Sequence, residues 1–410
     1  MKTAEIESRY AWLRLFVCLA LTTIASAGMF VVVVAMPAFE LDLGLTRAAA
    51  SVPYTMVMVG FGAGGIVIGR IVDRYGIVAP LGLSAVALAG SYALAGMSPN
   101  LLVLNFAHIL IGCFGCAVVF APLIADISKW FNRRRGLAVA ICACGNYVAG
   151  AIWPPLMHEM MVENGWRETY MFIGIASLSM MLPLLLLLNR RPVGDNQIQG
   201  AGGSAGSPQS LGLSPNGLLA LLCVAGVGCC MAMAMPQVHI VSLCGDRGYA
   251  QARGAEMLSV MLGFGVLSRL GFGWISDHLG GLRTILISSG LQGLALFLFL
   301  FADTLTSLYV VSALFGLFQG GIVPCYALIV REFYPEDEAG SRLGVIILAT
   351  LTGMALGGWV SGAIFDQTGS YTVAFVHGIG WNLLNMSVIL YLLFRTRANG
   401  LLPGVSRSTA

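Results

Sequence analysis

The stretch from Leu262 to Asp277, "LGFGVLSRLGFGWISD", sets one arginine, Arg269, in an otherwise uncharged run of small and apolar residues. A guanidinium is charged at any relevant pH and can hold a carboxylate through two parallel hydrogen bonds. No acid lies within a turn of Arg269 on its own helix, so its partner comes from another element or from a ligand. At the centre of a membrane span, arginine costs from about 3 kcal/mol on insertion scales to more than about 10 in simulations, so it must face a bundle interior or a wet cavity. His108, in the middle of another apolar run, is the first candidate for a group that titrates near neutrality and couples protons.

Asn146 follows a small-residue run and Tyr326 follows "GGIVPC"; each can hydrogen-bond a carboxylate or hydroxyl from a cavity wall. "GGIVP" and "WPP" are weak points at which a helix can bend. The ten cysteines sit in apolar runs without companion His or Asp clusters and read as small hydrophobes. There is no phosphate-cradling Gly-Lys-Ser motif, nucleophile elbow or His-rich metal pair, which argues against an enzyme, a metal, a cofactor and direct ATP use.

The elements that carry these residues follow from composition. Of 410 residues, 58% are hydrophobic and 10% charged, against about 25% charged in a soluble domain, so this is a membrane chain. Segments of roughly 20 apolar residues span a bilayer. Twelve meet that length, at 13–38, 48–72, 79–97, 101–127, 136–158, 169–189, 216–241, 254–275, 283–302, 305–330, 342–365 and 371–394. A Gly- and Ser-rich linker at 190–215 divides the six-helix half 1–189 from the half 216–410. Of 22 Lys and Arg, Arg47, Arg167, Arg247 and Arg253 fall in loops on one side, Arg269 lies within a span, and the remaining seventeen lie on the side of the termini. The positive-inside rule places both termini in the cytoplasm, with the chain in a plasma or inner membrane. A net charge of +3, scattered over loops, offers nothing to a nucleic acid.

The halves repeat. "GRIVDRYG" from Gly69 to Gly76 recurs 204 positions later as "GWISDHLG" from Gly273 to Gly280, and the same offset carries Gly112 onto Gly316 and Phe114 onto Phe318. This predicts an all-α membrane protein of twelve helices in two pseudo-symmetric bundles, with a site between them near the midplane. The duplicated G-x-x-x-D motif resembles the major facilitator superfamily. Physically, Gly69 and Gly273 would let helices approach at the cytoplasmic surface, and Asp73, Arg74 and Asp277 with Arg133, Arg134 and Arg135 would form a latch there.

A narrower resemblance lies in "KWFNRRRGLAVAICACGNYVAG", which is similar to the fourth-to-fifth helix signature of the monocarboxylate transporters and the oxalate/formate antiporter. That resemblance implies carboxylate binding by Arg269 and puts Phe30, Phe120 and Thr350 in the pocket, where phenyl rings suit a monoanion with an apolar body. It also marks departures: animal relatives carry an Asp one turn before the arginine, where this chain has Gly265, and a first-helix Lys that has no counterpart here. The expectation is a secondary carrier of a small organic anion, a monocarboxylate, by proton symport, with anion exchange as the alternative. One chain contains a complete pathway and would work as a monomer within the lipid bilayer.

Overall fold

The computed structural model describes residues 3–4, 6–192 and 212–398, without the side chains of Thr3, Ala4, Asp73, Arg191, Pro192, Glu336 and Ala398. The linker expected at 190–215 falls largely outside these residues, as does the tail beyond 398. In chain order the first four membrane-length helices are α1 Arg9–Leu43, α2 Arg47–Val72, α3 Val78–Gly96 and α4 Leu101–Ser128. The next, Arg135–Leu186, holds two spans, because Gly165 lies at φ 79° and ψ 165°, outside the helical region. Glycine enters that region without steric penalty, so Gly165 ends α5 and α6 follows it. The second half contains α7 Pro215–Asp246, α8 Gln251–Leu279, α9 Gly281–Phe299, α10 Leu305–Phe333, α11 Asp337–Thr368 and α12 Thr372–Arg397. The chain is a twelve-helix, all-α membrane protein; Thr3–Ala4 and Arg191–Pro192 add a two-residue parallel bridge.

The repeat is physical as well as textual. A Cβ on Gly112 of α4 would overlap the Val57 carbonyl of α2, and one on Gly316 of α10 would overlap the Met261 carbonyl of α8. Val57 and Met261 are separated by the same 204 positions as the two glycines. In both bundles, therefore, the fourth helix touches the second, backbone to backbone, at the equivalent glycine, which is how membrane helices gain contact without a hydrophobic drive between them.

Several spans are broken near mid-depth. In α1, Ser26 interrupts the helix, and the Trp153 indole of α5 donates to the nearby Thr23 carbonyl at 2.9 Å. In α4, Gly112–Cys116 widen into a π-helical turn. In α10, Gly320 and Gly321 separate two helical pieces, and Cβ atoms there would run into Gly265, Ser268 and Phe272 of α8. The bend expected at "GGIVP" thus seats α10 on the helix that carries Arg269, whereas α5 continues through Pro154 and Pro155.

The motif glycines Gly69 and Gly273 depart from their expected packing role. A Cβ at either would meet nothing within 4 Å. Hydrogen bonds join the bundles from mid-depth, at Arg269, to Asp366 on the face opposite the termini, and the motif glycines stand at the other, terminal face.

Gly112→Val and Gly316→Val each force a side chain into a carbonyl that cannot turn away, at a cost of about 3 kcal/mol, the upper end for overpacking. Gly69→Ala is the neutral control. Thermal melts of the detergent-solubilised protein should show both valine variants well below the parent and the alanine variant beside it.

Candidate functional site

Arg269 sits on a seam between α5 and α8, one helix from each bundle. Residues of α5 spaced by about one turn meet residues of α8 running the other way. Ser259 donates to the Ala151 carbonyl, Leu262 and Phe30 fill the space over Gly150, Gly265 abuts the Tyr147 ring, and Arg269 donates from Nη1 to the Ala143 carbonyl at 2.6 Å. Small residues on both helices allow this approach.

The guanidinium is buried, at 9% exposure, and lies 4.3 Å over the Tyr147 ring. No carboxylate pairs with it among the described residues, and its Nε is buried without a hydrogen-bond partner. A buried donor without a partner costs about 1 to 3 kcal/mol, more when charged. The π face of Tyr147 supplies part of the missing negative potential.

Gly265 explains how Tyr147 gets there. A Cβ at 265 would stand 2.7 Å from Tyr147 Cδ1, so the ring takes the volume that an acidic side chain would need. The absence of an acid one turn before the arginine and the presence of the ring beneath it are one feature. The contact depends on which faces of α5 and α8 meet, which periodicity along the chain does not show.

Of the other pocket candidates, Phe30 reaches the seam at Gly150 and Leu262. Asn146, half-buried, points its amide at Met29 Sδ of α1, 3.8 Å away. Phe120, at the irregular step in α4, packs edge-on against Phe61 with centroids 5.9 Å apart. Tyr326 and Thr350 converge on α7: the Tyr326 hydroxyl lies 3.7 Å from Cys229 Sγ, and Thr350 bonds the Ile347 carbonyl while its methyl meets Gly226. Tyr326 is wholly buried.

His108 stands apart from the seam, within the first bundle. Its Nδ1 lies 2.7 Å from the Leu104 carbonyl and its Nε2 2.9 Å from the Tyr170 hydroxyl. A carbonyl only accepts, so Nδ1 donates; in a neutral ring Nε2 then accepts from the Tyr170 hydroxyl. Both ring nitrogens are engaged.

On the terminal face, Arg74, Asp277, Arg133, Arg134 and Arg135 are exposed, and the Asp73 side chain lies outside the described residues. The loop before α5 is held from the N-terminus instead. Backbone N–H groups of Arg134 and Asn132 donate to the Glu7 carboxylate at 2.9 and 3.2 Å, and chiefly the Arg134 bond lowers its carboxyl pKa.

The opposite face carries a cluster that the sequence reading passed over. Arg47, at the start of α2, is buried and holds Asp246 of α7 through two nitrogens at 2.8 and 3.1 Å. It also approaches Glu40 of α1 at 2.6 Å and donates to the Tyr371 hydroxyl at 2.7 Å. Asp366 of α11 accepts from the backbone N–H groups of Arg47 and Ala48, both at 2.9 Å, and so caps α2 from the other bundle. Tyr371 in turn lies 2.9 Å from His239 Nδ1, and His239 Nε2 lies 2.7 Å from the Gly358 carbonyl. The signal was present: Glu40, Asp246 and Asp366 are acids at span ends on a face with only four basic residues, one of them Arg47.

With the geometry in hand, comparison with known proteins decides the family. The model of the Major Facilitator Superfamily matches residues 18–306 and 254–408. The chain belongs to that superfamily. Among its relatives, a rat protein named monocarboxylate transporter 13 is 27% identical over 319 residues, covering 77% of this chain and 71% of that one. An uncharacterised MFS-type transporter, YcxA of Bacillus subtilis (strain 168), is 26% identical over 79% of this chain and 81% of its own. Human monocarboxylate transporter 11 is 24% identical over 70% of this chain and 62% of its own. A bacterial homolog of the human lysosomal transporter Spinster, solved inward-facing and unoccupied, shares the fold at a TM-score of 0.65 and 15% identity, with 96% of this chain and 97% of that one covered.

Two outcomes check these contacts. Tyr147→Phe keeps the ring beneath Arg269 and should melt within about 1 kcal/mol of the parent, whereas Tyr147→Ala removes ring and packing together and should lose about 3 kcal/mol or more. Arg47→Gln breaks a buried ion pair, worth about 3 kcal/mol or a factor of roughly 100 in the opening of that face. A cysteine introduced at Ala355, which is buried in the α2–α11 seam, should then react with a polar maleimide at least about tenfold faster than in the Arg47 parent, read by site-resolved mass spectrometry.

Proposed function

We propose that this transporter-family chain carries a small organic anion, a monocarboxylate, by alternating access, with Arg269 binding the carboxylate between the bundles. The observation behind this reading is a buried guanidinium with an unpartnered Nε and no carboxylate beside it, on the seam where the two bundles meet. A substrate carboxylate supplies the missing charge. Phe30 and Tyr147 offer ring surface to an apolar body, and Phe120, Asn146, Tyr326 and Thr350 are the further wall candidates. In this reading the terminal face is cytoplasmic and open, the Arg47 cluster is the closed outer gate, and Asp73, Arg74, Asp277 and the arginines at 133, 134 and 135 engage when the cytoplasmic side shuts. The names of the monocarboxylate relatives support the substrate class.

Proton symport is the proposed energy source, since uphill uptake of a monoanion needs an accompanying cation. His108 was the sequence candidate for the proton. The Arg47 cluster is a second candidate, because its titratable Glu40, Asp246, Asp366, Tyr371 and His239 lie on both bundles and protonation of a carboxylate weakens the bonds across them. Exchange of one anion for another is the second reading, favoured by Tyr147 filling the place beside Arg269 where a proton-carrying acid would stand.

Proteoliposomes test both levels. Uptake of labelled monocarboxylates should vanish in Arg269→Ala and fall at least about tenfold in apparent affinity in Arg269→Lys, which keeps the charge but loses the fork. An inward proton gradient should drive accumulation. If a preloaded anion drives uptake and the gradient does not, exchange replaces symport; if Arg269→Ala transports as the parent does, the substrate assignment fails.

A further inference from the structure

A groove of about 280 Å³ lies on the outer side of the second bundle at the terminal face, between α9 and α12 and beside the end of α8. Its walls are Leu279, Leu286, Ile287, Leu390, Leu393 and Phe394, and its lining is completed by Arg283 and Arg397. The two arginines sit at matching ends, Arg283 in the first turn of α9 and Arg397 in the last turn of α12. Neither has a hydrogen-bonding or ion-pair partner among the described residues, no acid lines the groove, and the first turn of α9 contains none.

From that charged end the groove runs inward along apolar side chains. Leu286 and Ile287 lie one turn deeper than Arg283; Leu393 and Phe394 lie one turn, and Leu390 two turns, deeper than Arg397. Ile287, Leu390 and Phe394 stay 42%, 42% and 59% exposed, as expected of side chains that face acyl chains in a membrane-spanning protein. The groove is remote from the α5–α8 seam and shares no residue with it.

The geometry points to a binding site for one anionic phospholipid, its phosphate between Arg283 and Arg397 and the first stretch of an acyl chain against Leu286, Ile287, Leu390 and Leu393. Guanidinium is well suited to phosphate, which it meets in a planar fork. Basic side chains at the membrane surface attract anionic headgroups, and basic recesses between helices bind them specifically. A zwitterionic headgroup would bring its own cation to a rim that holds two cations and no acid. A soluble phosphate would leave the two-turn apolar wall unused.

Native mass spectrometry of the detergent-solubilised protein tests this without any transport measurement. The probes are phosphatidylglycerol, phosphatidylcholine and the soluble glycerol 1-phosphate. The parent should retain one phosphatidylglycerol with at least a tenfold preference over phosphatidylcholine, and glycerol 1-phosphate should not displace it at equal concentration. The preference should disappear in R283Q/R397Q and survive in R283K/R397K, and the charge-retaining pair separates loss of the site from loss of fold. Equal binding of the two lipids by the parent, unchanged preference in R283Q/R397Q, or displacement by glycerol 1-phosphate would each overturn the assignment.

Discussion

The position of one guanidinium constrains much of the second bundle and its seam with the first. Arg269 is affordable within a span because α5 and α8 approach closely enough for a backbone carbonyl and a tyrosine face to receive it, and that approach depends on Gly150 and Gly265. Gly265 abuts the ring, Gly320 and Gly321 let α10 press on the far side of α8, and Gly316 brings α10 against Met261 one level away. A larger residue at these points would displace the helix on which the charge rides. The incomplete solvation of Arg269 is then a property of the packing: carbonyl and ring occupy two sides, and Nε is left without a partner.

The bundles share a frame and differ in what they hang on it. Gly112 against Val57 and Gly316 against Met261 are the same contact, 204 residues apart, so the second and fourth helices of each half meet by the same rule. Duplication by itself would yield a symmetric vestibule with no sense of charge. Arg269 falls opposite Gly65 in the first half, whose Cβ position is empty to 4 Å, so the cation has no twin at the equivalent position.

Much of this was legible in the chain. Span number, the two-half organisation, the repeat and the isolation of Arg269 follow from apolar run lengths, one offset and the distribution of charge, which are local or periodic properties. The turn at Gly165 was placed as a loop between two spans even though the helical hydrogen bonding runs nearly through it. The contacts of Tyr147, Arg47 and His108 were not legible, for one reason. Each depends on a partner far along the chain: Tyr147 is 122 positions from Arg269, Arg47 bonds Asp246 across 199, and His108 bonds Tyr170 across 62. Helix periodicity says which face a residue occupies but not which helix that face meets. Gly69 and Gly273 failed in the opposite sense, since their motif describes a closed surface and here that surface is uncrowded.

The two kinds of cross-bundle contact differ in strength, and the difference has a mechanical meaning. At mid-depth the seam is made of van der Waals contact, hydrogen bonds to the Ala143, Ala151 and Ala355 backbone carbonyls and one cation over a ring, contacts that slide or re-form with small rotations. On the face opposite the termini it is ionic, with the bidentate Asp246 carboxylate on Arg47 and the Asp366 carboxylate capping α2 across the bundle boundary, while Glu40 of the first bundle adds a further charge to the same arginine. Partly buried ion pairs are stiff while intact and expensive to half-break, so such a cluster switches between discrete states more readily than it bends. In the proposed carrier, a ligand that neutralises Arg269 would act on the compliant seam, and the stiff cluster would set how far the bundles roll before that face opens. Arg47 and Arg269 differ accordingly: one cation joins the bundles through charges of the chain's own, and the other is left short of a charge on the seam, where the proposed function places the anion.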